Sequence, residues 1–481
     1  MDLQRRDERR YQQFLQRDRA YDGKFLTGVW TTGIYCLPSC PARRPNRENV
    51  RFFDTPDEAR QSGLRPCRRC RPDWFYRGEE WYENLFEQTA ARVRACPADF
   101  ADIAAIGAAA GISRTALNDL FREHAHDSPA GFLRRIRVEH ACRELARGAS
   151  IADAAGSAGF DSNSAFHQQF TARTGLTPGA YADLGSTREF ALRLPAGYRT
   201  QEVLDFYGRD PLSVSERVGK SGLQKAVTIN GLPALIEVVF QAETAFVSVD
   251  VQNAFAAHRA AVRMLGIDSD AAGFERQASG HPLLGRLIDS QRGLRIPLTP
   301  EPWEALAWAI MGQQISLKAA VALRRELIAN VGSRHSSGFF AHPSAHAVSS
   351  LGVEVLRGLK FSRSKAEYLL AAATAISTGS VVLESLRNMS ARHAARLLGS
   401  IRGIGPWTIQ YVCLRGFGLA DCLPSGDAGL AQGLEVIHGE RPDPSQIREM
   451  LSCFAPYRSF ATYHVWASLK INRGENRGNA V

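Results

Sequence analysis

Four cysteines in the first seventy residues are spaced for metal chemistry. Cys36 and Cys40 form a C-x3-C pair, Cys67 and Cys70 a C-x2-C pair, and 26 residues lie between the pairs. Two tight turns can each bring two thiolates to one side of an ion, which suits tetrahedral zinc. Two disulfides, or four unrelated buried thiols, are the alternatives, and a zinc site by itself is usually structural. Late in the chain, residues 391–432 hold Arg402-Gly403-Ile404-Gly405, too tight for anything but a turn, followed by Pro406 and Trp407. Pro406 stands where a helix can begin, because its missing N–H costs nothing there. Gly403 and Gly405 let the backbone approach a phosphate that the N–H groups of the helix start can bind. That is the pattern of a helix-hairpin-helix, although a lone G-x-G is more often an ordinary turn. Twenty residues beyond Trp407 comes Asp427, in a Leu-Pro-Ser-Gly-Asp loop leading into a helix.

The whole chain bounds what these residues can serve. Its 481 residues call for about three or four domains, and 44% hydrophobic residues allow real cores. No uninterrupted apolar run reaches membrane-spanning length. The opening MDLQRRDERRYQQ lacks the apolar region of a secretory signal. Nine cysteines, four in one cluster, fit a reducing compartment better than a disulfide scaffold. The expected location is therefore the cytoplasm. Lys and Arg number 59 against 49 Asp and Glu, a net charge of +10. Residues 1–75 carry sixteen of these cations and ten anions, a net of +6. More than half the excess thus lies in under a sixth of the chain, where a polyanion would be drawn. Arg and Ala are abundant throughout, so composition alone could account for part of it.

The elements around the cysteines read as a small mixed module. Residues 5–19 look helical with Tyr11, Phe14 and Leu15 as the apolar face, and 25–35 are β-branched and aromatic, leading as strands into the first pair. Phe52 and Phe53 give a further strand, and Asp54-Thr55-Pro56 caps a helix before the second pair. A core this small needs its metal.

TTGIYCLPSC, RENVRFF and RPCRRC resemble the N-terminal zinc domain of the Ada family over residues 5–75. The resemblance implies a single zinc held by Cys36, Cys40, Cys67 and Cys70. It implies that Cys36 takes a methyl group from a DNA phosphotriester and is permanently altered. Thr32, Arg43 and Arg65 match positions that contact the DNA backbone. The family's Pro-Cys-His motif of a second methyl acceptor does not occur in this sequence, so reversal of O6-methylguanine is not expected.

Residues 81–185 show helical periodicity. Residues 100–110, Gly111-Ile112-Ser113 and 114–124 read as helix, turn, helix, and the pattern recurs over 150–158, 159–161 and 162–174. Leu117, Leu120 and Phe121, then Phe166 and Phe170, bury one face of each second helix. The stretch resembles the AraC-type DNA-binding domain, including GLTPGAY near its end. Its second helices would enter successive major grooves, with Arg114, Asn118, Asn163, His167 and Gln168 as candidate readers of bases or phosphates. A merely structural helical bundle is the alternative. After Tyr181 strands dominate, with 183–187 as a plausible linker, and beyond Asn253 helices take over.

IMGQQIS at 310–316, GIGPW and the Asp427 loop resemble the helix-hairpin-helix DNA glycosylases, and among them the AlkA 3-methyladenine enzymes, over about 187–472. Asp427 matches the catalytic carboxylate, Trp407, Tyr411 and Trp466 match the aromatic base pocket, and Gln314 stands at the wedge position, a leucine in the prototype. No lysine occupies the Trp407 position, where lyases of the superfamily place their Schiff-base amine, so strand cleavage through an imine is not expected. No four-cysteine cluster follows Asp427, so no iron–sulfur cluster is expected. A monovalent cation at the hairpin is a further cofactor that the resemblance allows. Cys96, Cys142, Cys413, Cys422 and Cys453 read as packing residues, as do Trp303 and Trp308.

The expected architecture is multidomain, mainly α with smaller α+β parts. It comprises a zinc module (1–78), a tandem helix-turn-helix (81–185), a β-rich AlkA-type N-terminal domain (187–295), an all-α helix-hairpin-helix glycosylase domain (296–472) and a polar tail (473–481). The expected function is a DNA alkylation-damage response. A zinc-bound cysteine accepts methyl groups, the helices bind promoter DNA as a transcriptional activator, and the last domain excises alkylated bases. The alternative is a zinc-dependent regulator whose glycosylase-like half binds DNA but is catalytically silent. Double-stranded DNA, and RNA polymerase during activation, are the expected partners, with no membrane and a monomeric chain.

Overall fold

The structure is a computed structural model that describes residues 2–77 and 80–478, with the backbone alone for 2–4, 19 and 470–478. The expected boundary at 78 falls on residues outside the described ones, as does the end of the tail at 479–481. The chain divides into two compact units, residues 1–88 and 89–481.

In the first unit, helix Asp2–Gln16 precedes a four-stranded sheet of order β3-β1-β2-β4, with β1 Leu26–Val29, β2 Ile34–Cys36, β3 Val50–Phe53 and β4 Arg65–Pro66. Phe14 of that helix is buried, but Leu15, expected beside it, is 43% exposed because the apolar stripe is one residue narrower. The core is small: a cluster of Leu26, Tyr35, Leu37, Ala59 and Leu64, with Phe14, Phe25 and Val50 buried as well. Thr55 caps helix Pro56–Gln61 by accepting from Glu58 N–H, which fixes the chain's return toward the second cysteine pair.

In the second unit, helices Ile103–Ala110 and Arg114–Ala125 make the first helix-turn-helix, and Ile151–Ser157 and Asn163–Thr174 the second. Gly111 turns the first at φ 65°, and Ser113 and Ser162 cap the two second helices. A five-stranded antiparallel sheet follows, of order β5-β9-β8-β7-β6, with β5 Glu189–Arg193, β6 Glu216–Val218, β7 Gly222–Ile229, β8 Leu232–Gln241 and β9 Thr244–Val249. Residues 183–185 form a 3-10 turn with Leu184 wholly buried instead of an open linker. Phe166, Phe170 and Tyr181 of the helix-turn-helix belong to one hydrophobic cluster with Leu192, Val247 and Ala257 of the sheet and its helix. The rest, from Ala271 to Ala467, is a helical bundle around Trp303, Leu306, Ile310, Tyr411 and Phe460. The final helix runs Arg458–Gly478, so most of the expected tail is helical backbone.

Buried ion pairs fix sheet to bundle. Lys225, 1% exposed, lies 3.1 Å from Glu216 and 3.3 Å from Glu304, and Arg324 holds Glu216 through both carboxylate oxygens. The helix-turn-helix is fastened by the C-terminal ends of its second helices. Glu123 pairs with Arg392, buried His124 shares a 2.9 Å hydrogen bond with Ser390, Arg173 pairs with Asp268, and His258 Nε2 donates to Thr174 O at 2.7 Å. Among the described residues, no helix is long and apolar enough to cross a membrane.

Burial lowers His258 and His342 to about 4 and His464 to about 3. Each folded value lies below the free imidazole value near 6.5, so the unfolded chain takes up protons first as pH falls. Stability from these groups is complete above about pH 6.5 and is lost progressively toward pH 4. Glu301, pushed up to about 7 by partial desolvation and by Glu304 and Glu384, acts in the opposite sense, but its side chain is exposed, so solvent screening weakens its share. At pH 5 each histidine is expected to cost about 2 kcal/mol, so three outweigh one glutamate. Thermal melts of the second unit at pH 7.5 and pH 5 should show a lower midpoint at pH 5; an unchanged midpoint refutes the assignment.

Candidate active sites

The strand β2 ends on Cys36, and a backbone turn brings Cys40 back to it through Cys40 N–H to Leu37 O at 3.1 Å. The parallel pairing of β2 with β4 then delivers Cys67 and Cys70 to the same place. The four Sγ atoms all lie within 4.8 Å of one another. Tetrahedral zinc at about 2.3 Å from each sulfur would set them about 3.8 Å apart, so the donor set and its compactness fit the ion. Two of the sulfurs accept backbone N–H groups at 3.3 Å, Cys70 from Leu37 and Cys67 from Arg69, and the Ala42 backbone favours the Cys40 thiolate. Among the described residues no backbone N–H donates to Cys36. A hydrogen bond draws electron density from a thiolate, so a sulfur that accepts none keeps more of its nucleophilicity.

Thr32 sits in the exposed turn between β1 and β2, and Arg65, whose N–H donates to Gly33 O, stands exposed beside that turn. Arg43 is exposed as well. Arg44 instead stacks 3.8 Å over the Phe14 ring and serves the fold. Trp30, 46% exposed in the same turn as Thr32, has no pattern in the sequence that singles it out.

The helix-hairpin-helix forms as its glycines require. Helix Ala391–Gly399 runs into the turn, Gly403 adopts φ 84°, and Pro406 is the first residue of helix Pro406–Val412. Among the described residues, no atom beyond its chain neighbours lies within 4 Å of a Cβ placed on Gly405, so its backbone is open to a ligand. The helix continues into a π-helical turn, Cys413–Phe417.

Asp427 caps helix Ala428–His438, its Oδ1 accepting from Leu430 N–H at 2.7 Å. Two indoles also converge on it, Trp407 Nε1 donating to Oδ2 and Trp466 Nε1 to Oδ1, each at 2.9 Å. Trp407 stacks on Tyr411 at 5.4 Å and 29°, and Tyr411 meets Trp466 at 6.2 Å. The four expected site residues are thus one cluster on the wall of a cleft of about 1510 Å³. Gln314 lies on the same cleft, exposed, in the left-handed region at φ 55°.

Two arginines complete the wall without having been expected there. Arg415, in the π-helical turn, is 4% exposed, donates to Pro297 O at 2.7 Å and lies 4.6 Å from the Tyr463 ring. An arginine inside the apolar run YVCLRGF was the signal for it. Arg209 comes from the sheet region and packs 4.1 Å over Phe206 and 5.1 Å over Trp308. Burial lowers its guanidinium from the usual value, and only the tertiary fold brings it to the cleft.

Of the reading-helix candidates, Arg114, Asn163, His167 and Gln168 are exposed, while Asn118 is half-buried and donates to Arg114 O at 2.9 Å. Cys142, Cys413 and Cys422 pack as expected, but Cys96 and Cys453 are exposed, Cys453 lying 3.2 Å from His281. Trp303 is core and Trp308 packs against it.

Three family profiles match: the metal binding domain of Ada over residues 9–73, a helix-turn-helix domain over 106–183, and the HhH-GPD superfamily base excision DNA repair protein over 307–456. The chain is 27% identical over 490 residues to the "Probable bifunctional transcriptional activator/DNA repair enzyme AlkA" of Mycobacterium tuberculosis, covering 96% of both chains. It is 29% identical over 208 residues to a DNA-3-methyladenine glycosylase of Bacillus subtilis, covering 42% of this chain and 69% of that one. A solved 3-methyladenine DNA-glycosylase from Archaeoglobus fulgidus superposes with a TM-score of 0.53 at 24% identity, covering 58% of this chain and 97% of the other, which shows the shared fold. The chain therefore joins regions that match the metal binding domain of Ada, a helix-turn-helix domain and the HhH-GPD superfamily of base excision DNA repair proteins, and over nearly its whole length it is similar to a bifunctional transcriptional activator/DNA repair enzyme of the Ada/AlkA type.

Proposed function

We propose that the second unit excises alkylated purines of the 3-methyladenine type and that Cys36 in the first accepts methyl groups from DNA methylphosphotriesters. The observation that carries the first half is the Asp427 carboxylate held by two indole N–H groups inside an aromatic cleft beside the hairpin. An alkylated purine is cationic and a good leaving group, so stacking on electron-rich rings favours its extruded form. As the C1′–N bond breaks, its electron pair leaves with the base. Asp427 then faces the cationic sugar, either stabilising it or orienting the water that adds to C1′. The indole donors hold both carboxylate oxygens in place for that task. Gly403 and Gly405 would meet the backbone phosphate, and Gln314 would fill the vacated space.

In the first unit, Cys36 Sγ attacks the methyl carbon of a neutral phosphotriester. The methyl C–O bond breaks, and its electron pair leaves a phosphodiester anion. Zinc, when bound, keeps the four thiols deprotonated at neutral pH. Thr32, Arg43 and Arg65 would hold the DNA backbone around the site. Promoter binding through Arg114, Asn163, His167 and Gln168, contact with RNA polymerase, a monomeric state, a nucleoid location and a monovalent cation at the hairpin belong to the same proposal. Base release and Cys36 methylation, followed together after adding methylated duplex, test it.

Methylation should also tighten DNA binding. Four thiolates on a divalent ion carry a net charge of about −2, which falls to about −1 on methyl transfer. Less repulsion from phosphates is worth about 1 kcal/mol at a wet interface, a roughly fivefold lower Kd. Anisotropy titrations before and after methylation should show that gain, shrinking as salt rises; equal affinities would refute charge relief.

A further inference from the structure

The turn that carries Gln314 is bound to the hairpin by a bracket of two side chains. Gln313 Nε2 donates to Gly403 O at 3.0 Å and to Thr408 Oγ1 at 3.1 Å. An amide nitrogen has two N–H groups, so both acceptors can be served at once. Lys365, 8% exposed, donates from Nζ to Gln313 O and, at 3.3 Å, to Ile310 O. Those two carbonyls close the end of helix Pro302–Gly312. Burial lowers the Lys365 ammonium from the usual lysine value. One turn further along helix Arg363–Ser377, Tyr368 packs against the hairpin itself. A Cβ on Gly403 would fall 2.2 Å from the Tyr368 ring.

One helix therefore braces both parts, Lys365 under the wedge turn and Tyr368 under the hairpin, while Gln313 spans the gap. The wedge candidate Gln314 sits at φ 55°, a backbone state that L side chains adopt only where the surroundings hold it. Among the described residues Gln314 makes no hydrogen bond that would hold it so; Gln313 and Lys365 do, on the residue before it. We infer that Gln313 and Lys365 are positioning residues that tie the wedge to the hairpin, so that gripping the backbone phosphate sets Gln314 for base extrusion. The inference rests on the glycosylase reading above and adds the coupling between its two DNA contacts. Leucine at 313 would leave Gly403 O and the buried Thr408 hydroxyl without their donor, and methionine at 365 would strand Gln313 O and leave Ile310 O only the long Gln313 N–H bond at 3.4 Å.

The test compares the full-length wild type with Gln313→Leu, Lys365→Met and Lys365→Arg. Single-turnover release of an alkylated base is measured from a paired duplex and from the same lesion in a one-nucleotide bulge. The bulged base is already unstacked and needs less from a wedge. Fluorescence of 2-aminopurine beside the lesion reports extrusion, and anisotropy gives Kd for undamaged duplex. Release from the paired duplex is expected to fall about tenfold in Gln313→Leu and Lys365→Met. The loss on the bulged lesion should stay within about threefold, Kd within about twofold, and Lys365→Arg near wild type, with the 2-aminopurine signal following release. Unchanged release, equal loss on both substrates, or a loss of duplex affinity as large as the loss of rate would overturn the bracket. If Lys365→Met folds poorly, Gln313→Leu at its half-buried position carries the test. A wild type that releases no base from either substrate would sink the glycosylase reading instead, which separates the two failures.

Discussion

Asp427→Asn is expected to slow base release about a thousandfold while leaving the chain folded. The magnitude follows from losing a full negative charge beside a cationic sugar inside an aromatic cleft, worth about 4 kcal/mol of barrier. Stability should change little because asparagine caps a helix about as well as aspartate, so Leu430 N–H keeps its acceptor. One cost is predictable. Asp427 serves Trp407 through one oxygen and Trp466 through the other, whereas an asparagine amide turns an N–H toward one of those indoles. That ring should shift, so duplex affinity must be measured beside the rate. The expected pattern is a large loss of single-turnover rate with Kd unchanged or lower, since a charge that repels phosphate has gone. Borohydride should trap no covalent complex with either protein. Equal release from wild type and variant would remove Asp427 from the chemistry, and no release from wild type would favour the catalytically silent regulator.

What the sequence disclosed was local. Cysteine spacing is set by two tight turns, and the glycine turn before Pro406 is set by backbone sterics, so both can be read without a fold. The Thr55 cap and the Asp427 loop are legible for the same reason. The clamp on Asp427 is not, because its donors stand 20 and 39 residues away and nothing periodic marks an indole that turns its N–H toward a carboxylate. Arg209 is a harder case: it belongs to the sheet region and reaches the cleft where ion pairs lock sheet to bundle, Asp210 with Arg325 next to it and Glu216 with Lys225 and Arg324. The expected linker at 183–187 failed for a related reason. Polar composition suggested an open connection, but Leu184 is driven into a cluster shared by the helix-turn-helix and the sheet. Asn118 shows the limit of reading helix faces, since its amide is used on its own helix.

Removing the metal is expected to unfold the first unit and leave the second intact. The apolar core available without it is a handful of buried side chains, Phe14, Phe25 and Val50 beside the Leu26–Tyr35–Leu37–Ala59–Leu64 cluster, and the cysteines themselves, too little to hold a module of this size. Structural zinc sites contribute about 10 kcal/mol or more to folding in small domains. Chelation should therefore abolish methyl acceptance and the near-ultraviolet signal of the first unit, while base release continues from a separately compact second unit. Cys36→Ala divides the roles of the cluster further. Three sulfurs remain for the metal, and the two that accept backbone N–H groups, Cys67 and Cys70, are among them. The variant should still bind zinc, more weakly, and keep its fold, yet gain no methyl group from phosphotriester-bearing DNA. Peptide mass spectrometry of the wild type should place one methyl on Cys36 alone. Finding it on Cys40, Cys67 or Cys70 would mean that hydrogen bonding to sulfur does not select the nucleophile. If Cys36→Ala also lost base release, the two activities would not be separable, and the damage sensor would have to act on the glycosylase as well as on transcription.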